Sequence, residues 1–86
     1  MQKTVIAKEY SFLLRQLRAA RKDKGVTQTQ MAHKLRETQS FVSKCERGER
    51  RLDVVELRTW CGALGISFLA FLGEFDRSLR TRGGTT

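Results

Sequence analysis

The sequence predicts an all-α domain of five short helices, on three observations. Proline is absent and β-branched runs are scarce, while Leu, Ala, Arg, Lys, Glu and Gln, which favour helix over sheet, are abundant. Apolar side chains recur at three- and four-residue intervals, the helical period. Glycines end these stretches, and Thr, Asp or Ser begins most of them, as helix stop and start signals do. At 86 residues the chain makes one domain with a single small core, too small to enclose a deep catalytic cleft. A binding module is the expectation.

Each element has its own local reason. Residues 1–9 read as an N-terminal arm. From Tyr10 to Lys24, Leu13, Leu17 and Ala20 form a stripe with Arg15, Arg18 and Lys22 outside it, and Gly25 ends this first helix, with Val26 closing the cap. Thr27-Gln28-Thr29-Gln30 fits a capping box, so a second helix starts at Gln28 and turns Met31, Ala32 and Leu35 to one side. After Arg36-Glu37, Thr38 caps a third helix over Gln39 to Arg47. Val42, Cys45 and Glu46 cluster on one side of it, and Ser40, Ser43, Lys44 and Arg47 fall opposite. Gly48 closes it. Asp53 and Glu56 cap a fourth helix, which carries Val54, Leu57, Trp60, Cys61 and Leu64 on one arc and stops at Gly65. Ser67 caps a fifth, with Phe68, Leu72, Phe75 and Leu79 at helical spacing, Phe71 beside them, and Gly73 a candidate interruption. The domain spans 10–80, and 81–86 reads as a disordered tail.

Charge is distributed unevenly. Residues 1–52 hold 13 basic and 5 acidic side chains, the whole net charge of +8, whereas residues 53–86 hold 4 of each. A positive field concentrated in one part of a small domain suits a polyanion, since neutralising phosphates releases counterions, although a solvated surface has the same composition. Cys45 and Cys61 form no C-x-x-C pair and sit in buried stretches, so both read as reduced core thiols in a cytoplasmic protein. The first residues lack an apolar signal core, and the longest apolar run, Ile66 to Leu72, is far short of the roughly 20 residues of a membrane span. Neither export nor a membrane partner is expected. His33 is the only histidine, with no Cys or carboxylate at ligand spacing and no Ser or Cys in a nucleophile setting; no metal, cofactor or enzymatic activity is expected.

Two short helices joined by about three residues, the second with a polar outer face, describe a helix-turn-helix. The string from Val26 to Leu35, VTQTQMAHKL, followed from Thr38 to Leu52 by TQSFVSKCERGERRL, resembles the lambda-repressor-like and Cro-type family of xenobiotic-response-element regulators. The resemblance runs from about Phe12 to Gly73 and implies a five-helix DNA-binding domain with the helix-turn-helix at its second and third helices. It implies that Gln28 holds a phosphate, and that Gln39, Ser40 and Lys44 read bases, Gln suiting adenine and Lys suiting guanine. Phe41 either touches a thymine methyl or packs against its own domain. Arg47, Arg50 and Arg51 are implied as phosphate clamps, and Thr38 and Ser43 are grouped with them. The resemblance also supplies Arg21 as the partner of Glu46, an otherwise odd acid on a buried face, in a structural ion pair. One position departs from the family pattern: Arg36 stands where Gly is usual, so either the turn differs or Arg36 is kept for another phosphate.

Family members usually pair two-fold on palindromic half-sites. A homodimer interface is expected on Phe68, Phe71, Leu72, Phe75 and Leu79, in the part without net charge; the alternative is that these pack beneath the arm with Val5, Ile6 and Tyr10. The resulting expectation is a homodimeric repressor on a duplex DNA operator. Gln30, His33 and Lys34 on the second helix speak against an activating acidic surface, although Glu37 is close by. The competing readings are a dual activator and repressor controlling a restriction-modification or mobile-element operon, with RNA polymerase as partner, and an antitoxin whose last helix clasps a toxin.

Overall fold

Five helices form in the order α1 (Gln2–Asp23), α2 (Gln28–Leu35), α3 (Gln39–Glu46), α4 (Val54–Leu64) and α5 (Phe68–Gly83) in the computed structural model, which describes residues 2–83 and the side chains of 7–81. There is no strand among the described residues. The caps read from the sequence are in place. Thr27 and Gln30 exchange both bonds of a capping box, as do Asp53 and Glu56. Thr38 accepts from the Phe41 N–H, and Ser67 accepts from that of Ala70.

Four helix ends share one geometry. After α1, α2, α3 and α4, the residue in the left-handed conformation bonds back three positions, and its successor bonds back five, satisfying two terminal carbonyls. Gly25, Gly48 and Gly65 occupy three of these sites at φ 70°, 82° and 71°. The fourth is Arg36, at φ 60° and ψ 43°. The turn of the helix-turn-helix therefore keeps its shape without the usual glycine.

Apart from one-residue shifts at the ends of α1 and α3, three features differ from the sequence reading. α1 begins at Gln2 and not Tyr10, so most of the expected arm is helix; residues 2–9 contain neither Gly nor Pro to stop it. Gly73 does not interrupt α5, and a Cβ there would meet nothing within 4 Å. α5 runs on to Gly83, through part of the expected tail, supported by an Asp76–Arg80 ion pair one turn apart at 3.0 Å; residues 84–86 lie outside the described residues.

All five helices contribute to the core, which is built from Leu17, Met31, Ala32, Val42, Cys45, Leu52, Leu57, Trp60, Cys61, Leu64 and Phe71. On α1 the buried line is Leu14, Leu17 and Arg21, one step round from the expected stripe; Leu13 and Ala20 are only partly covered. Phe71 is 4% exposed, so it is a core residue and not part of any surface open to a partner. Gln16 of α1 donates to the Phe71 carbonyl oxygen at 2.9 Å, tying α5 to α1 at this point. Phe68, Leu72, Phe75 and Leu79 remain partly exposed, and Leu69 beside them is 77% exposed. Among the described residues no single helix is long and apolar enough to cross a membrane.

Candidate nucleic-acid interface

The site is built outward from a buried charge pair. Arg21, at the end of α1, donates from Nε to Glu46 Oε2 at 2.6 Å and from Nη2 to Oε1 at 3.0 Å. Its Nη1 reaches the Val26 carbonyl oxygen at 2.7 Å. Both side chains are almost wholly buried, with 6% and 3% exposed. A planar guanidinium facing a carboxylate with two parallel bonds fixes orientation as well as distance. Here it sets the end of α3 against the end of α1.

From Glu46 the hydrogen bonds run toward the surface. Gln28, the first residue of α2, donates to Glu46 Oε1 at 2.9 Å, and Gln39, the first residue of α3, donates to Gln28 Oε1 at 2.7 Å. Gln28 and Gln39 are thus joined side chain to side chain. A glutamine amide has two N–H donors and an oxygen acceptor, so Gln39 keeps one N–H and its oxygen after bonding Gln28. That remainder matches the acceptor N7 and donor N6 of adenine. Ser40 and Lys44 stand exposed on the same helix, and Phe41 is partly buried against the core.

The cations after α3 are less free than the sequence suggests. Arg47 caps α3, bonds Glu49 at 2.9 and 3.2 Å and donates to the Ser43 hydroxyl. Arg50 pairs with Glu56 at 2.9 Å and lies over the Phe41 ring, 5.0 Å from its centre. Arg51 lies over the Tyr10 ring at 4.2 Å, while the Tyr10 hydroxyl oxygen accepts from the Leu52 N–H at 2.9 Å. The hydrogen bond from Arg47 holds the Glu49 carboxyl below the usual carboxylate range, and that from Arg50 does the same for Glu56. Thr38 uses its oxygen as acceptor in the cap, leaving its hydroxyl proton to donate. Tyr10, Glu49 and Glu56 escape sequence reasoning as parts of this surface. Glu49 and Glu56 stand close in sequence to the arginines they pair with, but Tyr10 is 42 positions from its partner Leu52 and leaves no local trace.

Cys45 and Cys61 are fully buried, unpaired thiols, and burial pushes the pKa of each up. They are packing groups. No cluster of three or more His, Cys, Asp or Glu able to hold a metal ion occurs among the described residues.

A helix held edge-on by a buried ion pair, with hydrogen-bonding side chains outward and arginines at its end, defines a DNA-binding transcriptional regulator of helix-turn-helix type. The chain belongs to the helix-turn-helix family of the XRE kind; the family model matches residues 17–71. It is similar in structure to an XRE-family like protein from Pseudomonas syringae pv. tomato, with TM-score 0.84 and 40% identity over 90% of this chain and 94% of that one. It is also similar to the clp gene regulator ClgR from Corynebacterium glutamicum in two structures. One has TM-score 0.71 and 34% identity, covering 83% of this chain and 92% of that one. The other has TM-score 0.73 and 32% identity, covering 88% and 81%. No curated protein sequence matches the chain.

Proposed function

We propose that this protein binds a specific duplex DNA operator as a homodimer and represses transcription by occluding the promoter. The observation that carries the DNA reading is the bond between Gln39 and Gln28, which leaves on the outer face of α3 the donor and acceptor that an adenine edge requires. Ser40 and Lys44 extend the same face, with Phe41 at its edge. Gln28, Thr38, Ser43, Arg47 and Arg51 surround it as phosphate contacts, for which Arg47 exchanges Glu49 for a phosphate oxygen. Pairing of two copies through Phe68, Leu72, Phe75 and Leu79 is supported by the apolar surface left on α5 and by the absence of net charge over residues 53–86. Repression is favoured by the surface of α2, where Gln30, His33 and Lys34 are exposed and the first turn holds no acid.

Selection of bound sequences from random duplexes tests the proposal. A palindrome is expected, with half-sites about one turn, or 10 to 10.5 base pairs, apart. Enrichment of no sequence overturns specific DNA binding. A single unrepeated half-site, with a monomer in sedimentation velocity at micromolar concentration, overturns the dimer alone.

A further inference from the structure

The Arg50 side chain, although 44% exposed, is tied at both terminal nitrogens. Its Nη1 donates to the Arg51 carbonyl oxygen at 2.7 Å and to Glu56 Oε1 at 3.1 Å, and its Nη2 lies 2.9 Å from Glu56 Oε2. Glu56 Oε1 also accepts the Asp53 N–H at 2.9 Å, so the carboxylate that holds Arg50 is also part of the capping box that starts α4. Above these bonds the guanidinium lies over the Phe41 ring at 5.0 Å. Phe41 belongs to the first turn of α3, next to Gln39 and Ser40, and its N–H is fixed by Thr38 at 3.0 Å. Turning Arg50 toward a phosphate would break the Glu56 pair and uncover the ring together. Arg47 is tied differently, within its own turn, to the exposed Glu49 and the half-buried Ser43.

We propose that Arg50 is a positioning residue and not a phosphate contact: held by Glu56 and the Arg51 carbonyl, its guanidinium covers the Phe41 ring and fixes it in the first turn of α3. Arg50 thereby sets which base is accepted beside Phe41. The ring so held offers apolar contact to a thymine methyl. This inference rests on the DNA reading above. It makes Glu56, in the next helix, part of the same specificity device.

The test separates base choice from phosphate contact in the full chain. Operator affinity is measured over a series of salt concentrations, and again with each base at every operator position, for the wild type, Arg50→Ala, Glu56→Gln, Phe41→Leu and the Arg50→Ala, Phe41→Leu pair. A lost phosphate contact lowers the salt slope by about 0.9. For Arg50→Ala the slope is expected to stay at its wild-type value, while discrimination at one base pair falls by about fivefold or more. Phe41→Leu is expected to lose discrimination at that same pair, with no further loss there when Arg50→Ala is added. Glu56→Gln keeps a side chain that completes a capping box, and it is expected to relax the same pair even where Arg50→Ala fails to fold. A lower slope with base choice intact makes Arg50 a phosphate contact and overturns the inference, as does no change in either quantity or a loss at a different pair. Wild-type protein that prefers no sequence overturns the DNA reading itself and this inference with it, a result visible before any variant is made.

Discussion

Gln39 of α3 donates to Gln28 of α2 across 2.7 Å, and Gln28 in turn donates to the buried carboxylate of Glu46. The first side chain of α3 is thus aimed by a chain of bonds that begins in the core. Preorganisation of this kind lowers the ordering cost that a free glutamine side chain bears on binding. Gln28→Ala is therefore expected to cost about 1 to 3 kcal/mol on the operator and to flatten the preference for adenine at the Gln39 position. Titrating operators that carry each of the four bases there checks it. An equal loss on all four assigns Gln28 to phosphate alone.

The ion pair behind it makes a different demand. Glu46→Ala leaves the Arg21 guanidinium buried without its carboxylate, and Arg21→Ala strands the acid. Each is expected to destabilise the domain by about 3 to 5 kcal/mol in urea unfolding. Arg21→Met combined with Glu46→Leu, which leaves no charge unpaired, is expected to recover most of that loss while operator binding remains weak, because Gln28 then has no carboxylate to bond.

Arg36 stands in the left-handed region where α1, α3 and α4 place glycine. A side chain there costs roughly 1 to 2 kcal/mol, partly offset by the greater freedom glycine has in the unfolded chain. Arg36→Gly is expected to raise stability by about 1 kcal/mol, read as an increase in the midpoint of thermal unfolding. The salt dependence of operator binding by the same variant reports what the side chain does: a slope lower by about 0.9 means that it touches a phosphate.

What was legible in the sequence is what the chain decides locally. Thr27 with Gln30, and Asp53 with Glu56, act over three residues, and each glycine stop acts through its own backbone, so the helices and the turn could be read directly. Only the family resemblance marks Arg21 as the partner of Glu46, because 25 positions separate the two. Nothing local marks Tyr10 as the acceptor for Leu52 or as the ring beneath Arg51. The same limit explains Phe71. Phe68, Phe71, Leu72, Phe75 and Leu79 recur as in any amphipathic helix, and only the docking of α5 against the other helices decides which ring is fully buried. The expected arm misled for the opposite reason: residues 2–9 lack an apolar stripe as clear as that of the following turns, yet contain no residue able to stop a helix.

Burial raises both thiols above the ordinary value of 9.0, so the folded state keeps protons that the unfolded chain gives up. Stability from this source is fully present below that value and is lost as pH rises beyond it, since unfolding then releases protons. Urea unfolding between about pH 8 and 10 is expected to show a decline of up to about 1.4 kcal/mol per pH unit for each thiol. Cys61→Ala is expected to make that decline shallower, whatever it does to stability at neutral pH.

Lys44 and Arg51 carry the same charge, and both are exposed, but they stand on different parts of the surface. Lys44 lies on the outer face of α3, where an ammonium can donate to guanine O6 and N7; Arg51 lies beyond the helix, on the Tyr10 ring. Lys44→Ala is expected to cost about 1 to 3 kcal/mol on the best operator, with little loss on random DNA, and to relax choice at one position. Arg51→Ala is expected to weaken binding to all duplexes alike and to lower the salt slope by about 0.9, because a phosphate is the same in every sequence. The comparison is made by measuring both variants on operator and random duplexes over one salt series. Equal losses on the two duplexes for Lys44→Ala would remove it from the bases. A loss confined to the operator for Arg51→Ala would place that arginine in the groove, in which case the cation–π contact with Tyr10 steers base recognition and not phosphate contact.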